Sequence, residues 1–130
     1  MNRPKRIRKG ATVLIADDDP MFCVMLKQFF SLNGYTVVTV EDGDQAVQAC
    51  VQYQPEIALL DGDMPEMDGF TACGLIRDMV CGEDMPIFIV TALEGEGAVA
   101  CAVDVQASSY ITKPINWADF HNKLSCVMEI

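Results

Sequence analysis

The sequence lacks the features that mark membrane, secreted and nucleic-acid-binding proteins. Its 130 residues contain no apolar run that approaches the roughly 18 residues needed to cross a bilayer. The basic N-terminus is not followed by the apolar stretch of a secretory signal. Basic residues are scarce elsewhere, so the clustered cations that a phosphate backbone requires are missing. We therefore predict a cytoplasmic protein that binds neither a membrane nor nucleic acid directly.

The charge is acidic and unevenly distributed. The sequence has 9 Lys and Arg against 19 Asp and Glu, for a net charge of −10. Five of the basic residues lie within residues 1–10, namely Arg3, Lys5, Arg6, Arg8 and Lys9. We predict that residues 1–10 form a flexible basic leader and that residues 11–130 form one domain. A contact between the leader and an acidic partner or RNA is left open.

Motifs for zinc binding and thiol redox chemistry are also absent. Six cysteines occur, none of them in a CxxC pair, and the single histidine, His121, has no cysteine at a zinc-ligand spacing. Most of the cysteines have apolar neighbours, where a free thiol behaves as a small buried hydrophobic group. We predict structural thiols that bind no metal.

The sequence does contain a repeated alternation of short apolar runs and longer helical patterns. The apolar runs predict strands at Thr12–Ala16, Tyr35–Val40, Ile57–Leu60, Ile87–Thr91 and Ser109–Thr112. Helical spacing predicts helices at Pro20–Leu32, Asp42–Gln52, Gly69–Met79, Glu94–Gln106 and Asn116–Met128, the fourth with a loose first turn. The predicted fold is α/β, a doubly wound five-stranded parallel sheet with helices on both faces.

Polar residues cluster where four of the strands end. They are Asp17, Asp18 and Asp19 after the first strand, Asp61 and Asp63 after the third, Thr91 on the fourth and Lys113 after the fifth. In a doubly wound sheet, ligands bind beyond the carboxyl ends of the strands. The fold prediction and the positions of these residues therefore indicate the same place for a site.

The residue types at this place suit phosphoryl transfer. Clustered carboxylates repel one another unless a cation lies between them. Oxygen ligands without histidine or cysteine favour Mg²⁺, with Mn²⁺ as an alternative. A carboxylate nucleophile, a divalent cation, a lysine and a hydroxyl group together can neutralise the charge on a phosphoryl group in transfer.

Four motifs, VLIADDDP, LLDGDMPEMDGF, IVTA and YITKP, closely resemble in order and spacing the receiver domains of two-component response regulators, of the chemotaxis-regulator type. The resemblance covers about residues 11–128. It implies a flavodoxin-like fold and a signalling phosphoacceptor that catalyses only its own phosphorylation and dephosphorylation. It also implies a sensor histidine kinase or a phosphotransfer protein as partner.

The resemblance assigns a role to each matching residue. Asp61 is the phosphoacceptor, and Lys113 pairs with the phosphoryl oxygens after a peptide bond to Pro114 that is expected to be cis. Thr91 is also a catalytic residue, whose hydroxyl moves onto the phosphoryl group, and Thr91 and Tyr110 switch the face formed by the fourth helix, fifth strand and fifth helix. The implied Mg²⁺ ligands are Asp18, Asp61, the backbone carbonyl of Asp63 and, largely through water, Asp17.

Two further positions, Asp63 and Leu93, are implied to set the lifetime of the phosphorylated state. Asp19 and Asp68 are interpreted as helix caps. The sequence departs from the family pattern at Gln106, where a glycine is usual, and at Ser108 and Ser109, where acidic residues are common. These departures predict that the region around the fourth helix has a local geometry that differs from the family pattern.

Two rival interpretations remain. Asp61-Gly62-Asp63 has the DxD form of haloacid-dehalogenase-like phosphatases, although that motif is normally N-terminal and is followed by Thr or Val rather than Met64. The other rival is a degenerate receiver that binds partners without phosphorylation. The run KPINWADF is similar to receivers that are joined to cyclic-di-GMP synthesis or breakdown domains, so an output domain of that kind outside this chain is left open.

Overall fold

The computed structural model describes residues 6–130, in which five strands alternate with five α-helices. The strands are β1 (Thr12–Ala16), β2 (Thr36–Val40), β3 (Ile57–Leu60), β4 (Ile87–Thr91) and β5 (Ser109–Thr112). The α-helices are α1 (Pro20–Leu32), α2 (Gly43–Tyr53), α3 (Gly69–Arg77), α4 (Glu96–Asp104) and α5 (Trp117–Ser125), with a 3₁₀ helix at Val80–Gly82. None of the described helices is long and apolar enough to span a membrane.

The strands form one parallel sheet in the order β2-β1-β3-β4-β5. Strands β3 and β4 are buried along their whole length, which explains why their sequences are apolar at every position apart from the final Thr91. One core cluster lies between the sheet and α2, α3 and α4, and the other lies between the sheet and α1 and α5. The predicted doubly wound fold is confirmed.

Several predicted helix ends differ from the structure. Helix α3 ends at Arg77 instead of Met79, and α5 ends at Ser125 instead of Met128. Helix α4 is shorter than predicted at both ends. Gly95, with φ 98°, and Gln106, with φ 61°, have backbone conformations that a right-handed helix cannot contain. Gln106 is the position at which the family commonly has glycine, and glycine has no side-chain penalty at such a φ.

The predicted flexible leader is part of the folded domain from Ile7 onward. The Ile7 N–H donates to the carbonyl of Val127, and the Ile7 carbonyl accepts hydrogen bonds from the Glu129 N–H and the Tyr35 hydroxyl. The Ile7 side chain is buried in the same core cluster as Met128. Local composition could not reveal these contacts, because their partners are distant from Ile7 in sequence. Residues 1–5, with Arg3 and Lys5, lie outside the described residues.

The cysteines are all free, but only some are buried. Cys50 and Cys73 lie in the core, and burial raises the pKa of the Cys50 thiol to about 12. The prediction of buried thiols is wrong for the three that are exposed, which are Cys81, Cys101 and Cys126. Apolar neighbours in sequence do not imply burial at these positions, since Val80, next to Cys81, is itself 92% exposed.

Candidate functional site

The sheet brings the predicted site residues together at the carboxyl ends of its strands. Backbone hydrogen bonds extend the sheet just beyond the strands, from the Asp61 N–H to the Ala16 carbonyl at 2.9 Å and from the Lys113 N–H to the Thr91 carbonyl at 2.9 Å. The Asp17 N–H likewise donates to Val40 at 3.1 Å. The backbones of the two central aspartates and the lysine are therefore hydrogen-bonded to the sheet.

Three carboxylates form an acidic cluster. One oxygen from each of Asp17, Asp18 and Asp61 lies within 4.8 Å of the others. Asp17 and Asp61 are only 2% and 7% exposed, whereas Asp18 is open to solvent. This is the one group of metal-ligating side chains found in residues 6–130, and it contains no histidine or cysteine. An all-oxygen set with one open side suits a hard divalent cation such as Mg²⁺.

Lys113 connects the two buried aspartates. Its ammonium nitrogen Nζ lies 2.6 Å from Asp17 Oδ2 and 3.0 Å from Asp61 Oδ2. Burial disfavours the charged ammonium, but the hydrogen bonds that it donates to both carboxylates, together with their negative charges, outweigh burial and raise the pKa of Lys113. The lysine is therefore charged at neutral pH. The Lys113–Pro114 peptide bond is cis, as predicted.

Asp17 is held in an unfavourable environment. Burial raises the pKa of this carboxyl, and the negative charge of Asp61 acts in the same direction. The hydrogen bond from Lys113 and one from the Asp19 N–H, at 2.9 Å to Oδ1, oppose the shift without cancelling it. Two buried carboxylates with a single lysine between them leave negative charge that a bound cation would neutralise.

The loop after β3 shapes the surroundings of Asp61. The Asp63 N–H donates to Asp61 Oδ1 at 2.9 Å, so both carboxylate oxygens of Asp61 have partners. The Asp63 side chain is exposed. The chain then returns so closely that a Cβ on Gly69 would lie 2.0 Å from the Asp61 carbonyl oxygen. Only glycine fits at position 69 without moving the backbone of the central aspartate.

Thr91, Leu93 and Tyr110 form a connected group beside this loop. Thr91 is fully buried, and its hydroxyl oxygen accepts a hydrogen bond from the Leu93 N–H at 3.3 Å. The Asp61 carboxylate has other partners, which are Lys113 and the Asp63 N–H. The Tyr110 hydroxyl donates to the Leu93 carbonyl. Burial raises the pKa of Tyr110, with Asp61 and Glu94 adding to the shift. The two predicted switch residues therefore meet through the backbone of Leu93.

Sequence reasoning missed two side chains at the site, both in the first turns of α1. The Phe22 ring centroid lies 4.0 Å from Lys113 Nζ. The Cys23 thiol donates to the Asp17 carbonyl at 3.2 Å, and burial together with the charges of Asp17 and Asp19 raises its pKa to about 11. The available signal was the helix cap at Asp19, which fixes where the first turn of α1 begins.

Comparison with known proteins decides the family. The sequence profile described as response regulator receiver domain matches residues 13–125. The chain belongs to this family. Its four motifs and the cluster at the strand ends are therefore those of a receiver domain in two-component signalling, with an acidic pocket typical of phosphoacceptor sites.

Curated relatives include larger response regulators. The chain is 35% identical over 107 residues to the response regulator PleD of Caulobacter vibrioides, an alignment that covers 82% of this chain and 24% of PleD. It is 33% identical over 102 residues to the response regulator MprA of Mycobacterium ulcerans, covering 78% and 43%. The chain thus spans about a quarter to under half the length of these relatives.

Solved receiver structures have the same fold. The receiver domain of the sensor histidine kinase PA1611 from Pseudomonas aeruginosa, which has a magnesium ion in its active-site cleft, superposes with a TM-score of 0.81 at 28% identity, covering 89% of this chain and 95% of that one. The chemotaxis response regulator CheY4 of Vibrio cholerae gives a TM-score of 0.83 at 25% identity, covering 90% and 98%. The flavodoxin-like fold and the chemotaxis-regulator resemblance are confirmed.

Proposed function

We propose that Asp61 accepts a phosphoryl group from the phosphohistidine of a sensor histidine kinase or a phosphotransfer protein in a Mg²⁺-dependent reaction. The observation that carries the proposal is the position of Lys113 Nζ between Asp17 and Asp61, beside a cluster of three carboxylates. A lysine in this place balances charge on the nucleophile before transfer and on a phosphoryl group after it.

The reaction forms one bond and breaks another. A carboxylate oxygen of Asp61 attacks the phosphorus, the P–N bond breaks, and its electron pair returns to the imidazole. Lys113 is close enough to move from Asp61 Oδ2 to a phosphoryl oxygen without leaving Asp17. Since the product is an acyl phosphate on the protein itself, the chain acts as a signalling phosphoacceptor and not as a turnover enzyme.

Asp18 and Asp61 would supply side-chain oxygens directly to Mg²⁺, or to Mn²⁺ as a substitute, and Asp17 would act largely through water. The backbone carbonyl of Asp63 is the further ligand that the family resemblance implies. When bound, the cation neutralises charge between the carboxylates and the transferring group.

Phosphorylation is then expected to act through Thr91 and Tyr110 on the face formed by α4, β5 and α5. A phosphoryl group on Asp61 offers the Thr91 hydroxyl an acceptor, and a move of that hydroxyl would break its bond with the Leu93 N–H. Because Tyr110 is bonded to the carbonyl of the same residue, both switch residues feel the change.

Mass spectrometry tests the proposal directly. The protein incubated with acetyl phosphate and Mg²⁺ should gain the mass of one phosphoryl group, and Asp61→Asn or EDTA should abolish the gain. Asp68→Asn is the matched control, because Asp68 lies in the same loop but caps α3. Full labelling of Asp61→Asn would refute the assignment. No gain in the wild type would favour the phosphorylation-independent binding module.

The switch needs its own experiment. Thr91→Ala should still be phosphorylated but should no longer shift the amide NMR signals of residues 94–112. Wild-type shifts in this variant would place the switch elsewhere.

A steady-state phosphatase assay separates the dehalogenase-like alternative, since a receiver turns over only its own phosphoryl group. We also propose a cytoplasmic location for the protein. The resemblance of the KPINWADF run supports, in addition, an output domain of the cyclic-di-GMP type outside this chain.

A further inference from the structure

The ammonium group of Lys113 faces an aromatic ring as well as two carboxylates. Its Nζ atom lies 2.6 Å from Asp17, 3.0 Å from Asp61 and 4.0 Å from the centroid of the Phe22 ring. An ammonium has three N–H donors and no acceptor, and the face of an aromatic ring is electron-rich. The ring therefore provides a third favourable contact for the charged nitrogen.

The fold holds Phe22 in this place by a local device. The Asp19 carboxylate caps α1 by accepting the N–H groups of Met21 and Phe22, at 3.0 and 3.4 Å. The cap fixes where the helix starts and so which side chains of its first turn lie beside the lysine. The Lys113 side chain is 18% exposed. Cation–π attraction is stronger where, as here, water is largely excluded.

We propose that Phe22 is a positioning residue that holds the Lys113 ammonium over Asp61 for phosphoryl transfer. The inference rests on the proposed phosphoacceptor function. A lysine has a flexible four-carbon stem, so its charge must be located by its contacts. The face of an aromatic ring can locate the ammonium charge without accepting a directed hydrogen bond. The ammonium can therefore turn from Asp61 Oδ2 toward a phosphoryl oxygen and keep its contact with Phe22.

A purely structural role for Phe22 makes a different prediction. The ring also packs against the core cluster between the sheet and helices α1 and α5. If packing were its only role, a leucine would serve nearly as well, and a change there would act independently of Lys113. The two roles can therefore be separated by keeping the apolar volume while removing the aromatic face.

Phosphorylation rate is the first measurement. Phe22→Leu should slow phosphorylation by acetyl phosphate at saturating Mg²⁺ by about threefold to tenfold, or about 0.7–1.4 kcal/mol of barrier. Phe22→Tyr should keep the wild-type rate, and a ring-fluorinated phenylalanine at this position should give an intermediate one. Phe29→Leu is the matched control, because the Phe29 ring contacts Phe30, Trp117 and Phe120 instead of the lysine.

A double-mutant cycle in urea is the second measurement. Phe22→Leu and Lys113→Met should be non-additive, with a coupling of about twofold to fivefold in the unfolding equilibrium constant, whereas Phe29→Leu and Lys113→Met should be additive. Additivity for Phe22, a wild-type rate for Phe22→Leu, or no rescue by tyrosine would each overturn the positioning role. If the wild type takes up no phosphoryl group, the proposed function fails instead, and the urea cycle still decides whether the ring and the lysine interact.

Discussion

Helices α3 and α4 have nine residues each and cover the same face of the sheet, so they can be compared directly. Helix α3 is capped by Asp68, whose carboxylate accepts the Thr71 N–H at 2.7 Å, and it buries four residues. Helix α4 begins after Gly95 without a side-chain cap and buries only Ala102. With so few buried contacts, α4 is the element of this face that can move at low cost in free energy.

The two helices that differ in packing lie beside different parts of the site. Helix α3 follows the loop that carries Asp61, the proposed phosphoacceptor, so its firm attachment holds that loop against the sheet. Helix α4 follows Thr91 and Leu93, which are the residues connected to the proposed switch. The same face of the sheet therefore carries a firmly packed helix beside Asp61 and a loosely packed helix beside the proposed switch residues.

The test with the largest expected effect compares the truncation of a buried side chain in α3 with that of an exposed side chain in α4. Ile76→Ala in α3 removes a fully buried side chain and should lower the free energy of unfolding by about 2–5 kcal/mol. Val103→Ala in α4 removes a side chain that is 69% exposed and should change it by less than about 0.5 kcal/mol. Urea unfolding measures both. Equal losses would mean that α4 is packed as firmly as α3.

A second test concerns the end of α3. The Arg77 guanidinium donates to the carbonyls of Gln106 and Gly82, at 3.0 and 2.8 Å, to the Met85 carbonyl and to the Ser108 hydroxyl at 3.2 Å. It thereby anchors the turn that follows α4 to α3. Arg77→Met should lower the free energy of unfolding by about 1–3 kcal/mol. Amide hydrogen exchange in residues 105–108 should also become faster.

The control for Arg77 is Lys27→Met, which removes an exposed cation from α1. It should leave both the unfolding free energy and the exchange rates near their wild-type values. If Arg77→Met behaved like this control, the turn would be held by its own backbone. The left-handed conformation of Gln106 would then need another explanation.

The sequence was sufficient for the strands and for the residues at their ends, because both follow from short-range patterns. A buried parallel strand is apolar on both faces, and ligand sites lie at the carboxyl ends of such strands. Asp17, Asp61, Thr91 and Lys113 could therefore be placed together before the structure was known. Asp19 and Asp68 could be assigned as caps for the same local reason, and the structure confirms both.

The remaining features depend on contacts between distant parts of the chain. Ile7 is hydrogen-bonded to Tyr35 and Glu129, the turn at Gln106 is bonded to Arg77, and Phe22 contacts Lys113, which is distant in sequence. No local pattern encodes such pairs. A departure from the family pattern, such as glutamine in place of glycine at position 106, indicates where to look but does not show what compensates for it.

A third test concerns Leu93, which precedes helix α4 and contacts the loop after β3. Leu93 lies over the loop that follows Asp61, since its Cδ1 would be 3.4 Å from a Cβ on Gly62. An apolar side chain there obstructs water and cannot align it for attack on an acyl phosphate. Leu93→Ala should therefore shorten the phosphorylated lifetime by about threefold to tenfold, or about 0.7–1.4 kcal/mol of barrier.

The lifetime is measured as loss of the phosphoryl mass in excess Mg²⁺ after the donor is removed. Val99→Ala, on the exposed side of α4, is the matched truncation and should leave the lifetime unchanged. An unchanged or longer lifetime for Leu93→Ala would count against shielding. Asp63→Asn in the same assay asks whether that exposed carboxylate orients the attacking water or repels the phosphoryl group.

The smallest expected effect comes from Gly97, inside the first turn of α4. A Cβ at this position would meet no atom within 4 Å, and the backbone there is not left-handed. Gly97→Ala should therefore stabilise α4 by about 0.5–1 kcal/mol, because alanine loses less conformational freedom in a helix. Gly95→Ala is the opposing control, since φ is 98° at Gly95 and a side chain would be strained there. Amide exchange in residues 98–104 should slow in the first variant and quicken in the second, and phosphorylation should shift the α4 signals less in Gly97→Ala than in the wild type. If a stiffer α4 responded to phosphorylation as fully as the wild type, the looseness of this helix would have no part in the response.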